Sequence, residues 1–160
     1  MRDFIIIGAG SAGCVLANRL SAETKRSVFL IEAGGEDRNP WIHVPLGFGK
    51  TLTNSAINWS FESEPEANAG GKRDYLPRGK VLGGSSSING MVYMRGAPQD
   101  YDDWKRAGCD GWGWDRMGPH FVALEDHALG AAAWRGTGGP LRISMARHGN
   151  PVTDAMLRAG

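Results

Sequence analysis

Three glycines near the amino terminus are spaced as in a loop that holds the phosphates of an adenine dinucleotide. They form the pattern Gly8-x-Gly10-x-x-Gly13. Gly8 would allow a tight turn, Gly10 would let a pyrophosphate approach the main chain, and Gly13 would let a helix pack closely on a strand. Glu32 follows Gly13 by 19 residues and is suited to accept hydrogen bonds from a ribose diol. This pattern alone fits FAD and NAD equally well.

The sequence around these glycines predicts the βαβ unit that would position them. Residues 4–7 and 28–31 are continuous apolar runs, typical of strands that are covered on both faces in a parallel sheet. Between them, the sequence predicts a helix with one apolar stripe, formed by Ala12, Val15, Leu16 and Leu20. Strand, glycine loop, helix, strand and acid therefore occur in the order that a Rossmann-like α/β fold requires.

A second glycine-rich segment, residues 78–96, is suited to hold another part of the same cofactor. Gly83 and Gly84 would let the main chain lie against a flat or phosphate-bearing ligand. Ser85 begins a run of three serines with hydroxyl and N–H donors, and Arg78 could offset phosphate charge. A nicotinamide enzyme does not need a second cradle so far from the first, so this segment favours FAD over NAD.

The second segment resembles the first signature of the glucose-methanol-choline (GMC) oxidoreductases. The matching residues are Gly79, Lys80, Leu82, Gly83, Gly84, Ser85, Ser86, Ile88, Asn89, Tyr93 and Gly96, followed by Asp102. Further matches lie at Glu32 to Gly34, Asn58-Trp59, Pro65, Pro77 to Gly79, Asp100 to Trp104 and Gly111 to Trp114. The resemblance is clearest over residues 3–127, and is greatest to the choline dehydrogenases and acceptor-linked alcohol dehydrogenases of the family.

The resemblance implies where an extended FAD would lie. Its adenine half would meet the first glycine loop and Glu32, and its pyrophosphate and isoalloxazine would follow residues 83–92. The cofactor-binding residues expected on this basis are Gly8, Gly10, Ser11, Ala12, Gly13, Glu32, Ala33, Arg78, Gly83, Gly84, Ser85, Asn89, Gly90, Met91 and Val92. Some family members attach FAD covalently through a histidine just before the asparagine, where this chain has Ile88. We therefore expect non-covalent FAD.

The resemblance also implies the oxidation of a CH–OH group, with hydride passing to flavin N5 and a histidine taking the hydroxyl proton. In the family that histidine lies several hundred residues downstream, so no catalytic residue is expected in this chain. The four histidines present are His43, His120, His127 and His148. The substrate stays open among choline, medium-chain alkanols and aryl alcohols, and the electron acceptor among a quinone, a dye-type acceptor and oxygen.

We expect residues 1–130 to be the amino-terminal portion of the FAD-binding domain and residues 131–160 to begin a substrate-binding domain. The resemblance predicts that a strand begins within residues 136–144, and Asn150 followed by Pro151 predicts a helix start. An incomplete α/β fold would expose apolar strand edges, so we expect the isolated chain to fold poorly and to bind FAD weakly. The alternatives are a truncated, non-catalytic flavin-binding product and a nicotinamide-dependent dehydrogenase.

The composition argues against several other classes of protein. The net charge is +1 and no basic block exceeds two residues, which argues against nucleic-acid binding. No apolar run is long enough to span a membrane. Cys14 and Cys109 lie far apart, which predicts a reducing cytoplasm, with peripheral attachment to the inner face of the membrane as the alternative for a membrane-linked acceptor.

Overall fold

The predicted βαβ unit is present, and its strands have the predicted bounds. The computed structural model describes residues 2–23, 25–145 and 150–159. In it, β1 (Phe4–Ile7) and β2 (Val28–Ile31) pair in parallel, with Ile6 opposite Leu30. Helix α1 (Ser11–Ser21) connects them. The chain thus has the mixed α/β fold that the sequence predicts.

The apolar side chains of this unit are less covered than the sequence predicts. Ile6 is buried, but Ile5 is 62% exposed and Ile7 is 85% exposed. On α1, Val15 and Leu16 are also exposed, and Gly13 is the buried residue. The expectation that both strands are covered on both faces is therefore wrong for the described residues, which bury Ile6 but leave the opposite face, with Ile5 and Ile7, uncovered.

The chain forms two compact units, Met1–Val92, which includes the βαβ unit, and Tyr93–Gly160. The first also contains α2 (Phe48–Thr51) and an antiparallel hairpin of β3 (Phe61–Glu62) and β4 (Tyr75–Leu76). Its 3₁₀ helices are Pro40–Ile42, Pro45–Gly47, Ala67–Ala69 and Gly84–Ser87. Its buried core joins Ile57, Val81 and Ile88.

In its described residues, the second unit contains three helices and a short parallel sheet. These are α3 (Pro98–Arg106), α4 (Trp114–Leu124), β5 (Glu125–His127), β6 (Leu141–Ile143) and α5 (Pro151–Ala159). The predicted strand and the predicted helix start are both present, and Asn150 Oδ1 accepts the N–H of Val152 at 3.0 Å. His148 lies outside the described residues. The predicted domain boundary at residue 130 separates cofactor binding from substrate binding. The division into compact units does not test such a functional boundary, so it stays a prediction.

An aromatic cluster holds α3 against α4. Tyr101 is buried, and its ring lies 5.3 to 5.6 Å from the rings of Trp104, Trp114 and Phe121. Trp112 packs edge-on against Trp104. Trp104, Trp112 and Trp114 thus pack with other aromatic rings of this cluster. No helix within the described ranges is long and apolar enough to cross a membrane.

A buried ion pair ties the start of the second unit to β5. Glu125 is only 1% exposed, and its Oε1 accepts hydrogen bonds from the Tyr93 hydroxyl and the Arg95 guanidinium. Its Oε2 accepts the N–H of Gly136 at 3.0 Å. Burial alone would raise the pKa of Glu125. The N–H of Gly136, the Arg95 guanidinium and the Tyr93 hydroxyl stabilise the carboxylate more strongly than burial destabilises it, and so hold that pKa below its usual value.

Removing the cation of this pair should destabilise the protein strongly. In the full-length protein, we expect Arg95→Leu to lower the free energy of unfolding by about 3–5 kcal/mol, because it leaves a buried carboxylate unpaired. The control is Lys105→Leu, since the Lys105–Asp115 pair is exposed and should contribute at most about 1 kcal/mol. Urea unfolding measures both. Equal losses for the two variants would contradict the assignment.

The same carboxylate should make stability depend on acid pH. Its pKa is lower when folded than when unfolded, so its contribution is complete above the ordinary glutamate pKa of about 4.3 and is lost as the pH falls through the folded-state value. The melting-temperature difference between wild type and Glu125→Gln should therefore shrink on acidification below that pH. A difference that stays constant would show that Glu125 does not titrate with unfolding.

Candidate functional site

The first glycine loop turns the chain sharply from β1 into α1. Gly8 has a left-handed φ of +93°, and its N–H donates to the Ile31 carbonyl at 2.7 Å. A β-carbon on Gly13 would lie 1.9 Å from the Gly8 carbonyl oxygen. Only glycine at position 13 therefore lets the helix pack this closely on the loop, as predicted.

The amino terminus of α1 is open on the side where a ligand would approach. A β-carbon on Gly10 would have no described protein atom within 4 Å. No side chain of the described residues caps the helix, so the first main-chain N–H groups, including those of Ser11 and Ala12, have no intrahelical partner. These groups and the helix dipole favour an anion at this position.

The two glycine motifs are in direct main-chain contact. The N–H of Gly83 donates to the Ala9 carbonyl at 2.8 Å. Gly84 has a φ of +57°, and a β-carbon there would lie 2.8 Å from the Gly10 α-carbon. The structure therefore unites two sets of predicted residues that are far apart in the sequence, and any side chain at position 84 would force them apart.

The Glu32 carboxylate bonds to the main chain of the first glycine loop and of the turn after β2. Its Oε2 accepts the N–H of Ala9 at 2.7 Å and its Oε1 accepts the N–H of Gly34 at 3.0 Å. The sequence did not predict these bonds, because nothing in the spacing shows which N–H groups face the carboxylate. A carboxylate has about four acceptor positions, so Glu32 can still accept from a further donor. Ala33 beside it is exposed.

The serine hydroxyls of the second motif bond mainly within the motif. Ser86 donates to the Gly83 carbonyl at 2.6 Å and Ser87 donates to the Leu82 carbonyl at 2.8 Å. Ser85 Oγ accepts the N–H of Gly79 at 3.1 Å. These hydroxyls thus shape the loop, and the hydroxyls of Ser86 and Ser87 are not free donors for a phosphate.

The basic side chains near this motif point to other groups. Arg78 Nη1 donates to the carbonyl of Pro77 at 2.7 Å, and its side chain is exposed. The Lys80 ammonium lies 4.6 Å from the centre of the Trp59 ring. Arg78 uses one of its five N–H donors in this bond, so its predicted role at the phosphates stays a prediction.

The segment after the second motif borders a cavity of about 210 Å³. Asn89 Oδ1 accepts the N–H of Met91 at 2.9 Å, and Met91 has a left-handed φ of +58°. Asn89, Met91, Trp41 and Phe48 line the cavity. Gly90 and Val92 are exposed. Of the predicted residues in this segment, Asn89 and Met91 therefore line the cavity, and Gly90 and Val92 lie at the surface.

The described histidines have structural partners or lie at the surface. His43 Nε2 lies 2.6 Å from the Asp37 carbonyl oxygen, which can only accept, so this nitrogen carries the proton. His127 Nδ1 accepts the N–H of Leu129 at 3.1 Å, and His120 is exposed on α4. His43 also borders the cavity, a position that its irregular sequence context did not indicate.

Known proteins resemble this chain over nearly its whole length. The family model described as GMC oxidoreductase matches residues 2–160. The oxygen-dependent choline dehydrogenase of Rhizobium johnstonii is 47% identical over 158 residues, which cover 99% of this chain and 29% of that protein. The crystal structure of pyridoxine 4-oxidase from Mesorbium loti has a TM-score of 0.91 and 40% identity, covering 99% of this chain and 31% of that one.

A second solved structure extends the comparison. The FAD-dependent oxidoreductase from Chaetomium thermophilum has a TM-score of 0.82 and 31% identity, covering 99% of this chain and 29% of that one. The chain therefore spans less than a third of the length of these proteins. With the family match covering residues 2–160 and the glycine motifs of that family joined through their main chains, the chain belongs to the GMC oxidoreductase family.

Proposed function

We propose that this chain provides an FAD-binding part of an oxidoreductase that oxidises the CH–OH group of a small alcohol. The observation that carries the proposal is the main-chain contact of Gly84 with Gly10, which joins two glycine motifs into one surface. Family membership and the solved relative named an FAD-dependent oxidoreductase support FAD over a nicotinamide cofactor. When bound, FAD supplies the two-electron acceptor at N5.

The first loop fits the pyrophosphate of such a cofactor. A β-carbon at Gly10 would point into open space. The N–H groups at the start of α1 have no intrahelical partner. Since the nearby basic side chains bond elsewhere, we assign phosphate recognition mainly to main-chain N–H groups and the helix dipole. Gly83, Gly84 and Ser85 would shape the other wall.

The remaining predicted residues fit the two ends of the cofactor. Glu32 has acceptor positions left for a ribose diol after bonding Ala9 and Gly34. Asn89, Gly90 and Met91 present an exposed segment that could lie against the flavin ring. Ile88 is 2% exposed in the core and has no nucleophilic atom, which supports non-covalent attachment.

The substrate we propose is a small alcohol, with choline, medium-chain alkanols and aryl alcohols as candidates. The named substrates of two relatives, choline and pyridoxine, each carry a CH–OH group. We assign no proton acceptor to this chain, because none of its four histidines matches a catalytic position of the family that the sequence resembles. A quinone, a dye-type acceptor or oxygen as acceptor and a cytoplasmic or peripheral membrane location stay predictions.

Gly10→Ala should separate cofactor binding from folding. In the full-length protein, the added methyl group meets no described protein atom, so we expect stability to change by at most about 0.5 kcal/mol. FAD affinity should fall by at least about tenfold, because the methyl group occupies the space for the pyrophosphate. Quenching of flavin fluorescence on titration of the apoprotein measures the affinity.

Gly13→Ala is the matched control, since it changes the same motif by the same atom. Its β-carbon would lie 1.9 Å from the Gly8 carbonyl oxygen, so we expect a loss of stability of about 1–3 kcal/mol or more. If Gly10→Ala binds FAD as tightly as the wild type, the pyrophosphate does not lie at this loop and the proposed site is wrong.

The reaction class is tested by anaerobic reduction of the bound flavin. We expect choline, an alkanol or benzyl alcohol to bleach the visible flavin band, and deuterium at the carbinol carbon to slow the bleaching because that C–H bond breaks. Stopped-flow absorbance of the full-length protein measures the rates. Reduction by NADH or NADPH with no response to any alcohol would instead favour a nicotinamide-linked reaction.

A further inference from the structure

Asn58 is a buried amide with all its hydrogen-bonding positions occupied. The residue is 2% exposed. Its Nδ2 donates to the Leu52 carbonyl at 2.6 Å and to the Tyr75 hydroxyl at 3.1 Å. Its Oδ1 accepts the N–H of Ser60 at 3.0 Å and the N–H of Arg78 at 2.9 Å. Two donated and two accepted bonds use the full capacity of an amide side chain.

The chain on either side of Asn58 runs beside the start of the second glycine motif. The N–H of Trp59 donates to the Arg78 carbonyl and the N–H of Lys80 donates to the Ile57 carbonyl, each at 2.8 Å. Asn58 itself stands opposite Gly79 in an antiparallel bridge. Arg78 is therefore held through its carbonyl by the main chain and through its N–H by the Asn58 side chain.

From Gly79, close main-chain contacts lead to the first glycine loop. A β-carbon on Gly79 would lie 2.1 Å from the Gly84 carbonyl oxygen, and the N–H of Gly79 donates to Ser85 Oγ. Gly84 in turn lies against Gly10. A shift of the Gly79 main chain therefore displaces Gly84, because no side chain between them can absorb it.

We infer that Asn58 is a positioning residue for the cofactor site, acting through its Oδ1 on Arg78 and Gly79 to set the position of Gly84. The inference rests on the proposed FAD-binding function. The two sides of the amide differ: Nδ2 bonds to Leu52 and Tyr75, whereas Oδ1 accepts the N–H of Arg78, which leads into the glycine motif, as well as that of Ser60. Packing needs only the volume of Asn58, but alignment of Arg78 needs its acceptor oxygen.

Two substitutions separate these contributions in the full-length protein. Asn58→Leu keeps a similar volume and loses all four bonds. Asn58→Asp keeps an oxygen that can accept from Ser60 and Arg78, and its second oxygen, when protonated, can donate to the Leu52 carbonyl. The control is Ile57→Val, which removes one methyl group from the buried neighbour and lowers stability without changing any hydrogen bond.

The measurement is the dissociation constant of FAD, with the melting temperature of each apoprotein recorded beside it. We expect Asn58→Leu to weaken FAD binding about tenfold, since the Oδ1 acceptor that holds the N–H groups of Ser60 and Arg78 is lost. Asn58→Asp and Ile57→Val should stay within about threefold of wild type, even where their melting temperatures fall. A role confined to stability would instead make FAD affinity follow melting temperature across all three variants.

The inference is overturned if folded Asn58→Leu binds FAD as the wild type does, or if Asn58→Asp loses as much affinity as Asn58→Leu. Should the leucine variant fail to fold, Asn58→Ala takes its place in the same comparison. A wild-type protein that binds no FAD overturns the proposed function, and this inference with it. Variants that all match a FAD-binding wild type overturn this inference alone.

Discussion

The approach of the Gly84 main chain to Gly10 is the constraint on which the candidate site depends. A β-carbon at Gly84 would come within 2.8 Å of the Gly10 α-carbon, so the two motifs meet with no intervening side chain. A contact between main chains has almost no freedom to adjust, since neither partner has rotamers to change. The surface formed by the motifs therefore keeps its shape only if the chain leading to Gly84 is held in place. Val81, three residues before Gly84, is fully buried and helps to hold it.

Local signals predicted much of the fold. The apolar runs gave both strands of the βαβ unit, and Asn150 before Pro151 gave the start of α5. These features are encoded by neighbouring residues, so spacing reveals them. The bonds of Glu32 to Ala9 and Gly34 were not predicted, because they depend on which groups meet in space. The resemblance paired the two motifs without revealing how their main chains touch.

The exposed strands show a further limit of sequence patterns. A continuous apolar run correctly predicted β1, yet Ile7 is 85% exposed in the structure. Periodicity tells which surfaces a strand can bury, but the covering layer is encoded elsewhere in the chain. In the second unit the opposite holds, since Tyr101 finds Trp104, Trp114 and Phe121 within a short stretch and is buried. Burial is therefore complete where the packing partners are close in sequence, as at Tyr101, and absent at Ile7, which the described residues leave uncovered.

A site built from main-chain groups makes geometry more important than side-chain charge. The Arg78 guanidinium bonds to Pro77 and the Lys80 ammonium lies over Trp59, so both side chains have contacts outside the glycine loops. Attraction for an anion then comes from oriented N–H groups and the helix dipole, whose effect falls off within the first turn. Such a site tolerates the loss of a nearby surface charge but not a displacement of its backbone. On the inference drawn for Asn58, a buried polar side chain that orients this backbone influences binding more than an exposed surface charge does.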